Sequence, residues 1–286
     1  MMVKRALTVV MALFGCLMSQ VALAATPAIL QHNAAGSHAV TSQAVTLGTS
    51  LSMGSEVIVS AGSWCGAASP GTLSISDSVG HSFVAGPSTT KLAGGSSSSV
   101  AQDWYVANSS TSADTITVTS SSSCDLSVYV TEVSNIASFD AQNGAVSTGL
   151  SSASGSVTTT NATDFLYVFG FDQTTANDTW TASTGYTALP SFNNTAGGES
   201  LDVGDQNVSI TSTYSNTWTI NVSSNGLHSH ILAFKAVAGT PTPSPSPTPT
   251  PSPSPSPSPS PSPSPSPTPS SFTCPAGQAV VGVTCG

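Results

Sequence analysis

The sequence predicts an all-β protein, an antiparallel β-sandwich of jelly-roll type, and three observations carry that prediction. Apolar residues alternate with polar or opposite-facing ones over short stretches, as with Phe165, Tyr167, Phe169 and Phe171, which is the period of a strand with a covered face. Clusters of Gly, Ser and Asn separate these stretches, and no window of useful length carries a helical period. Charged residues make up only 6% of the chain, so solubility must rest on Ser, Thr, Asn and Gly, a composition suited to exposed sheet faces.

Taken in order, the chain opens with an export signal. Lys4 and Arg5 precede an apolar run from Ala6 to Leu17, and Ala22 and Ala24 stand where a signal peptidase reads small residues, so cleavage is expected after Ala24. The run is too short to span a bilayer. Leu13-Phe14-Gly15-Cys16 offers lipidation at Cys16 as an alternative, although Phe14 occupies a position that wants a small residue. Residues 25–43 read as a polar lead-in and residues 44–239 as the sandwich domain.

Within that domain a first strand is expected near Ala44 to Leu47. Glu56 to Cys65 follows, with Val57, Val59, Ala61 and Cys65 on one face and Ile58, Ser60 and Trp64 on the other. Leu73 to Ser76, a turn over Asp77 to Gly80 and a return over His81 to Val84 predict a hairpin. Next comes a strand with Val100, Trp104 and Val106 on one side and Asp103 and Tyr105 on the other. Further strands are expected at Thr115 to Thr119, Cys124 to Val133, Val157 to Thr160, Phe165 to Phe171, Leu201 to Val203, Val208 to Thr213, Trp218 to Val222 and His230 to Val237. About two hundred residues fit one large sandwich; two smaller ones, divided near Gly144 to Gly155, are the alternative.

Proline occupies every second position from Pro241 to Pro269, with Ser or Thr between. Each proline fixes φ and removes a donor, so residues 240–271 are expected to be an extended, polyproline-rich linker. A fifteen-residue tip, Phe272 to Gly286, is too short for a core of its own and reads as a small cap or as the start of a further module.

After signal removal Lys91 and Lys235 are the only basic residues, against thirteen Asp and Glu. That balance argues against nucleic acid and against an anionic membrane surface as partners. Four cysteines remain, an even number in an exported chain, which points to disulfides. The long linker favours Cys65 with Cys124 and Cys274 with Cys285 over the other pairings. Cys65 is in phase with Val57, Val59 and Ala61, and Cys124 with Leu126, Val128 and Val130, so both thiols of the first pair are expected on the core side.

The succession Glu56-Val-Ile-Val-Ser-Ala61, Ser76-Asp-Ser-Val-Gly-His-Ser-Phe83, Asp103-Trp-Tyr-Val-Ala-Asn108, Thr115-Ile-Thr-Val-Thr119, Val130-Thr-Glu-Val-Ser-Asn135 and Ser156-Val-Thr-Thr-Thr-Asn-Ala-Thr-Asp-Phe-Leu166 resembles a family of exported bacterial β-sandwich domains. Those domains recur in large surface and secreted proteins and mostly lack an assigned activity. The resemblance spans roughly Ala44 to Val237 and rests on turn and strand signatures. It implies fold and export, and no site residues; Cys65 and Cys124 are departures from its pattern.

Catalytic signatures are thin. The chain has no Gly-x-Ser-x-Gly elbow, no His-Glu-x-x-His and no phosphate-cradling glycine loop. A sandwich glycosidase would need two facing carboxylates, and Glu56, Glu132 and Glu199 show no such pairing. His228 and His230 project to one face of a strand, but they share the phase of Leu232 and Phe234 and read as partly buried hydrogen-bonders. Asp202 and Asp205 flank Gly204 without the oxygen-rich spacing of a calcium loop, so no metal ligands and no cofactor are assigned. Aromatic side chains are the better clue, because sugar rings stack on flat exposed faces. Trp104 and Trp218 are in phase with core residues, whereas Trp64 lies off the apolar face of its strand and Trp180 in the polar loop Asn177 to Thr184; those two, with Tyr105, are the candidate ligand platform. If its strand is covered on both faces, Trp64 belongs instead to a second layer of the core. The expected function is a non-catalytic secreted module that binds a polysaccharide or cell-surface glycan. A structural or adhesive domain without a small ligand and a sandwich-class glycan hydrolase are the alternatives.

Overall fold

A computed structural model describes residues 25–66, 69–92, 98–173 and 177–238. The expected signal peptide with Cys16, the expected linker 240–271 and the tip with Cys274 and Cys285 lie outside the described residues. The described chain is all-β, with two antiparallel six-stranded sheets, each built from one contiguous half of the sequence. The first holds β1 (Ala28–Thr46), β2 (Glu56–Cys65), β3 (Leu73–Asp77), β4 (Val84–Lys91), β5 (Ser98–Ala107) and β6 (Thr115–Ser134). The second holds β7 (Ile136–Thr158), β8 (Asp164–Asp172), β9 (Thr187–Ala188), β10 (Phe192–Asn194), β11 (Glu199–Val208) and β12 (Thr213–Ala236). The chain passes from one sheet to the other through Asn135 alone, at φ 60°, a left-handed conformation that Asn tolerates better than most residues. Its side-chain amide donates to the Thr26 carbonyl at 2.8 Å.

Strand order is β1-β6-β2-β5-β4 in the first sheet and, from the other edge, β7-β12-β8-β11-β10 in the second. Adding six to each strand number converts one order into the other, so the body is one plan used twice. The correspondence reaches the small pairings. β4, interrupted between Ala85 and Ser88, is matched by β9 and β10, which both lie along β11. The β3 to β6 pair Ser76 with Thr117 is matched by the isolated bridge between Thr181 and Thr219.

Three cores follow from this arrangement. Between the sheets, Ile58, Tyr129 and Val133 meet Phe165, Tyr167, Phe169, Phe171, Leu201, Leu232 and Phe234. On the other face of the first sheet, Val57, Val59, Trp104, Ile116, Val118, Leu126, Val128 and Val130 pack together. The other face of the second buries Leu166, Val168, Trp180, Trp218, Ile220 and Ile231. Alternate residues of β2 and β8 thus enter different cores, so both strands are buried on both faces. Gly62 allows the sheets their close approach: a Cβ there would enter the ring of Phe171.

Two expectations are corrected. Residues 25–43 are not a lead-in, because β1 begins at Ala28 and runs along β6; its Ser, Gly, Ala and Gln residues are half-buried or exposed and carry no apolar alternation. The expected hairpin does not form either. β3 pairs with β6, and β4 pairs with β5. Leu73 and Ile75 pack against the core of the first sheet's other face, which draws β3 onto the early part of β6.

Cys65 and Cys124 form a disulfide with a Cα separation of 4.4 Å. Both residues are buried, and the bridge ties β2 to β6 where β2 ends.

Candidate functional site

The three aromatic candidates do not converge. Trp180 is buried in the second sheet's core, edge-on to Trp218 with ring centroids 5.6 Å apart, and its indole N–H donates to Ser200 Oγ at 3.2 Å. That placement corrects its reading as a loop platform: the polar segment around it folds back, with Thr181 bridged to Thr219. Trp64 is half buried on the inner face of β2, in phase with Ile58 and Ser60. It therefore faces the second sheet, as the second-layer alternative anticipated. Tyr105 is also half buried on an inner face, stacked on Phe139 at 4.8 Å and edge-on to Phe234. Trp64 pairs with Ser99 and Tyr105 with Ile58, so the two lie six strand positions apart, about 20 Å along the strand direction at roughly 3.3 Å per residue.

What the inner faces do bring together is a polar chain crossing from sheet to sheet. His230 Nδ1 lies 2.5 Å from Asp103 Oδ2, and Ser60 donates to the other oxygen of that carboxylate. Ser60 Oγ is 3.1 Å from the Tyr167 hydroxyl. Thr89 Oγ1 is 2.7 Å from both His230 Nε2 and His228 Nδ1, and Ser99 Oγ is 2.8 Å from His228 Nε2. Burial holds the His228 imidazole well below its ordinary value, so that ring is neutral. One proton order satisfies every link. Ser99 donates to His228, His228 to Thr89, Thr89 to His230, and His230 to Asp103. The in-phase histidines were legible in the sequence; their partners on β4 and β5 were not.

Hydroxyl, imidazole and carboxylate in the order Thr89, His230, Asp103 also occur in nucleophilic hydrolases. Here the Thr89 oxygen is engaged by two imidazoles, and His228, His230 and Asp103 are fully buried. The arrangement is suited to fastening two sheets in register.

An open groove of about 210 Å³ lies elsewhere, lined by His32, Asn33 and Ala34 of β1, Tyr129 of β6, and Pro190, Ser191 and Phe192 at and before β10. The His32 ring stacks on Tyr129 with centroids 5.6 Å apart and planes 14° from parallel, and the Tyr129 hydroxyl lies 2.9 Å from His32 Nδ1. The same hydroxyl donates to the Pro190 carbonyl at 3.2 Å, joining the halves of the body across the groove floor. Ser191 donates to Asp202 Oδ2 at 3.0 Å, and burial pushes the Asp202 carboxyl up to about 7. Sequence phase could not single out this groove, because its lining comes from a strand without apolar alternation and from a loop.

The class that fold and site define is a two-sheet, disulfide-bridged, all-β body with an open aromatic groove between its halves. No protein-family model, curated protein or solved structure matches the chain. Among the described residues no helix is long and apolar enough to cross a membrane.

Proposed function

We propose that the chain is an exported, non-catalytic module that binds a polysaccharide or cell-surface glycan, with the Pro-Ser/Thr run giving the body reach. The observation that carries this reading is the groove. The half-buried His32, whose ring is backed by the buried Tyr129, and the half-buried Phe192 supply flat apolar surface, and His32, Asn33 and Ser191 place polar atoms beside it. A few oriented polar groups beside aromatic faces are what recognition of a pyranose ring requires. The export signal and the disulfide are compatible with an oxidising compartment.

Retention on insoluble polysaccharides tests this. The wild-type protein should be held on at least one glycan, and His32→Ala and Phe192→Ala should be released while keeping the wild-type melting temperature to within a few degrees. No retention of the wild type on any glycan leaves the structural or adhesive reading in its place.

A further inference from the structure

The first copy of the repeated plan carries a charged cluster at a turn that the second copy closes with neutral residues. In the first copy Ser78 donates through its backbone N–H and its hydroxyl to Asp114 Oδ1, at 3.3 and 3.0 Å, and the Thr115 N–H donates to Ser78 Oγ at 3.0 Å. In the second copy the Ser183 N–H donates to Asn216 Oδ1 at 2.9 Å, and the Thr217 N–H donates to Ser183 Oγ at 2.8 Å. Ser78, Asp114 and Thr115 therefore correspond to Ser183, Asn216 and Thr217. By the same register Asp77 and His81 correspond to Ala182 and Tyr186, which pack against the second sheet's core. The fold closes this turn without charge when it has no need of any.

Asp77, His81 and Asp114 each turn one ligand atom to a common point, with all three atoms within 4.8 Å of one another. His81 Nδ1 is 2.5 Å from Asp77 Oδ2 and 3.9 Å from Asp114 Oδ2. The side chains of Asp77 and Asp114 are wholly inaccessible, and that of His81 is 5% exposed. Asp114 Oδ2 is buried with no hydrogen-bond partner. Asn216 Nδ2 is likewise unpartnered in the second copy, but a neutral amide left so costs far less than a carboxylate oxygen. No lysine reaches the cluster among the described ion pairs; Lys235 is engaged by Asp140 at 3.3 Å.

We propose that Asp77, His81 and Asp114 bind a divalent transition-metal ion, with Zn²⁺ the best match to the donors. Two carboxylate oxygens and one imidazole nitrogen favour zinc over calcium or magnesium, which take all-oxygen sets. Zinc bonds of about 2.0 to 2.2 Å place tetrahedral ligands roughly 3.4 Å apart, and the observed 2.5 and 3.9 Å bracket that separation. Entry of the ion moves the imidazole proton from Nδ1 to Nε2. That shift breaks the contact in which the Ser109 N–H donates to His81 Nε2 at 3.4 Å, and Ser109, being exposed, is free to yield. The ion would fix the turn after β3 to the start of β6, a structural role with one coordination position left for water.

Calorimetric titration of Zn²⁺ into the full exported chain, in chelator-stripped buffer, tests the assignment. One equivalent should bind to this site, with affinity lowered by at least about tenfold in both Asp114→Asn and His81→Gln and unchanged in His38→Ala, an exposed histidine elsewhere. The Ser109 amide resonance should shift on zinc addition in the wild type and stay fixed in His81→Gln. The Asn at position 216 shows that Asp114→Asn is compatible with the turn, and His81→Gln carries the test should that variant fail to fold. Zinc binding of equal strength in wild type and both variants, or no binding by the wild type, overturns the proposal.

Discussion

His230 Nδ1 lies 2.5 Å from Asp103 Oδ2 across the interface between the two sheets, and neither side chain is reached by solvent. Replacing His230 with Leu would continue the apolar phase of Leu232 and Phe234 but strand the Asp103 carboxylate. A cost of roughly 3 to 5 kcal/mol is expected, as for other buried pairs broken from one side. Changing Asp103 to Leu as well should recover part of that loss, so chemical denaturation of the four proteins in a double-mutant cycle should give a coupling above about 1 kcal/mol. Strictly additive losses would show that the polar chain is not a unit.

The disulfide closes a separation of 59 residues between Cys65 and Cys124. Replacing both with Ser should destabilise the body by roughly 2 to 4 kcal/mol, mainly by freeing the unfolded chain. Denaturant unfolding of wild type and double variant, compared at unchanged m-value, measures it; equal midpoints would refute the stapling role.

Trp180 fills the second sheet's core against Trp218. Trp180→Ala should cost about 3 to 5 kcal/mol, seen as a fall in thermal midpoint. A variant that melts like the wild type but loses glycan retention would restore Trp180 to a ligand platform.

Stability should fall as pH rises from about 4 to about 8. Burial pushes the carboxyls of Glu56, Asp164 and Asp202 up to about 7, Glu199 to about 8 and Asp205 to about 6. Between the ordinary carboxyl range and these values the folded chain holds protons that the unfolded chain has released, so raising the pH favours unfolding. Their stabilisation is complete below the unfolded range near pH 4 and is lost as pH rises through about 6 to 8. His228 acts in the opposite sense below pH 6.5, because it resists protonation when folded, and Asp140, whose carboxyl is lowered, gives stability that is lost in acid. The raised carboxyls outnumber these two groups, so the thermal midpoint should be higher at pH 5 than at pH 8.5. A midpoint rising steadily from pH 5 to pH 8.5 would contradict this.

Strand phase in the sequence was enough for the all-β class, for the aromatic run of β8, for Trp104 and Trp218 as core, and for both cysteines pointing inward. These are local properties, set by which side of one strand is apolar. Beyond their last few residues, β1 and β7 escaped that reading because edge strands rich in Ser, Gly and Ala show little alternation, although their backbones pair over long spans. Only the tertiary structure decided that β3 leaves β4 for β6, that one strand plan is used twice, and that Trp180 turns inward while Trp64 faces the second sheet. The groove and the cluster of Asp77, His81 and Asp114 were likewise beyond the sequence. His32 and Pro190, or His81 and Asp114, are brought together by pairings between strands far apart in the chain, and period-2 patterning fixes which face a residue occupies without fixing which strand lies beside it.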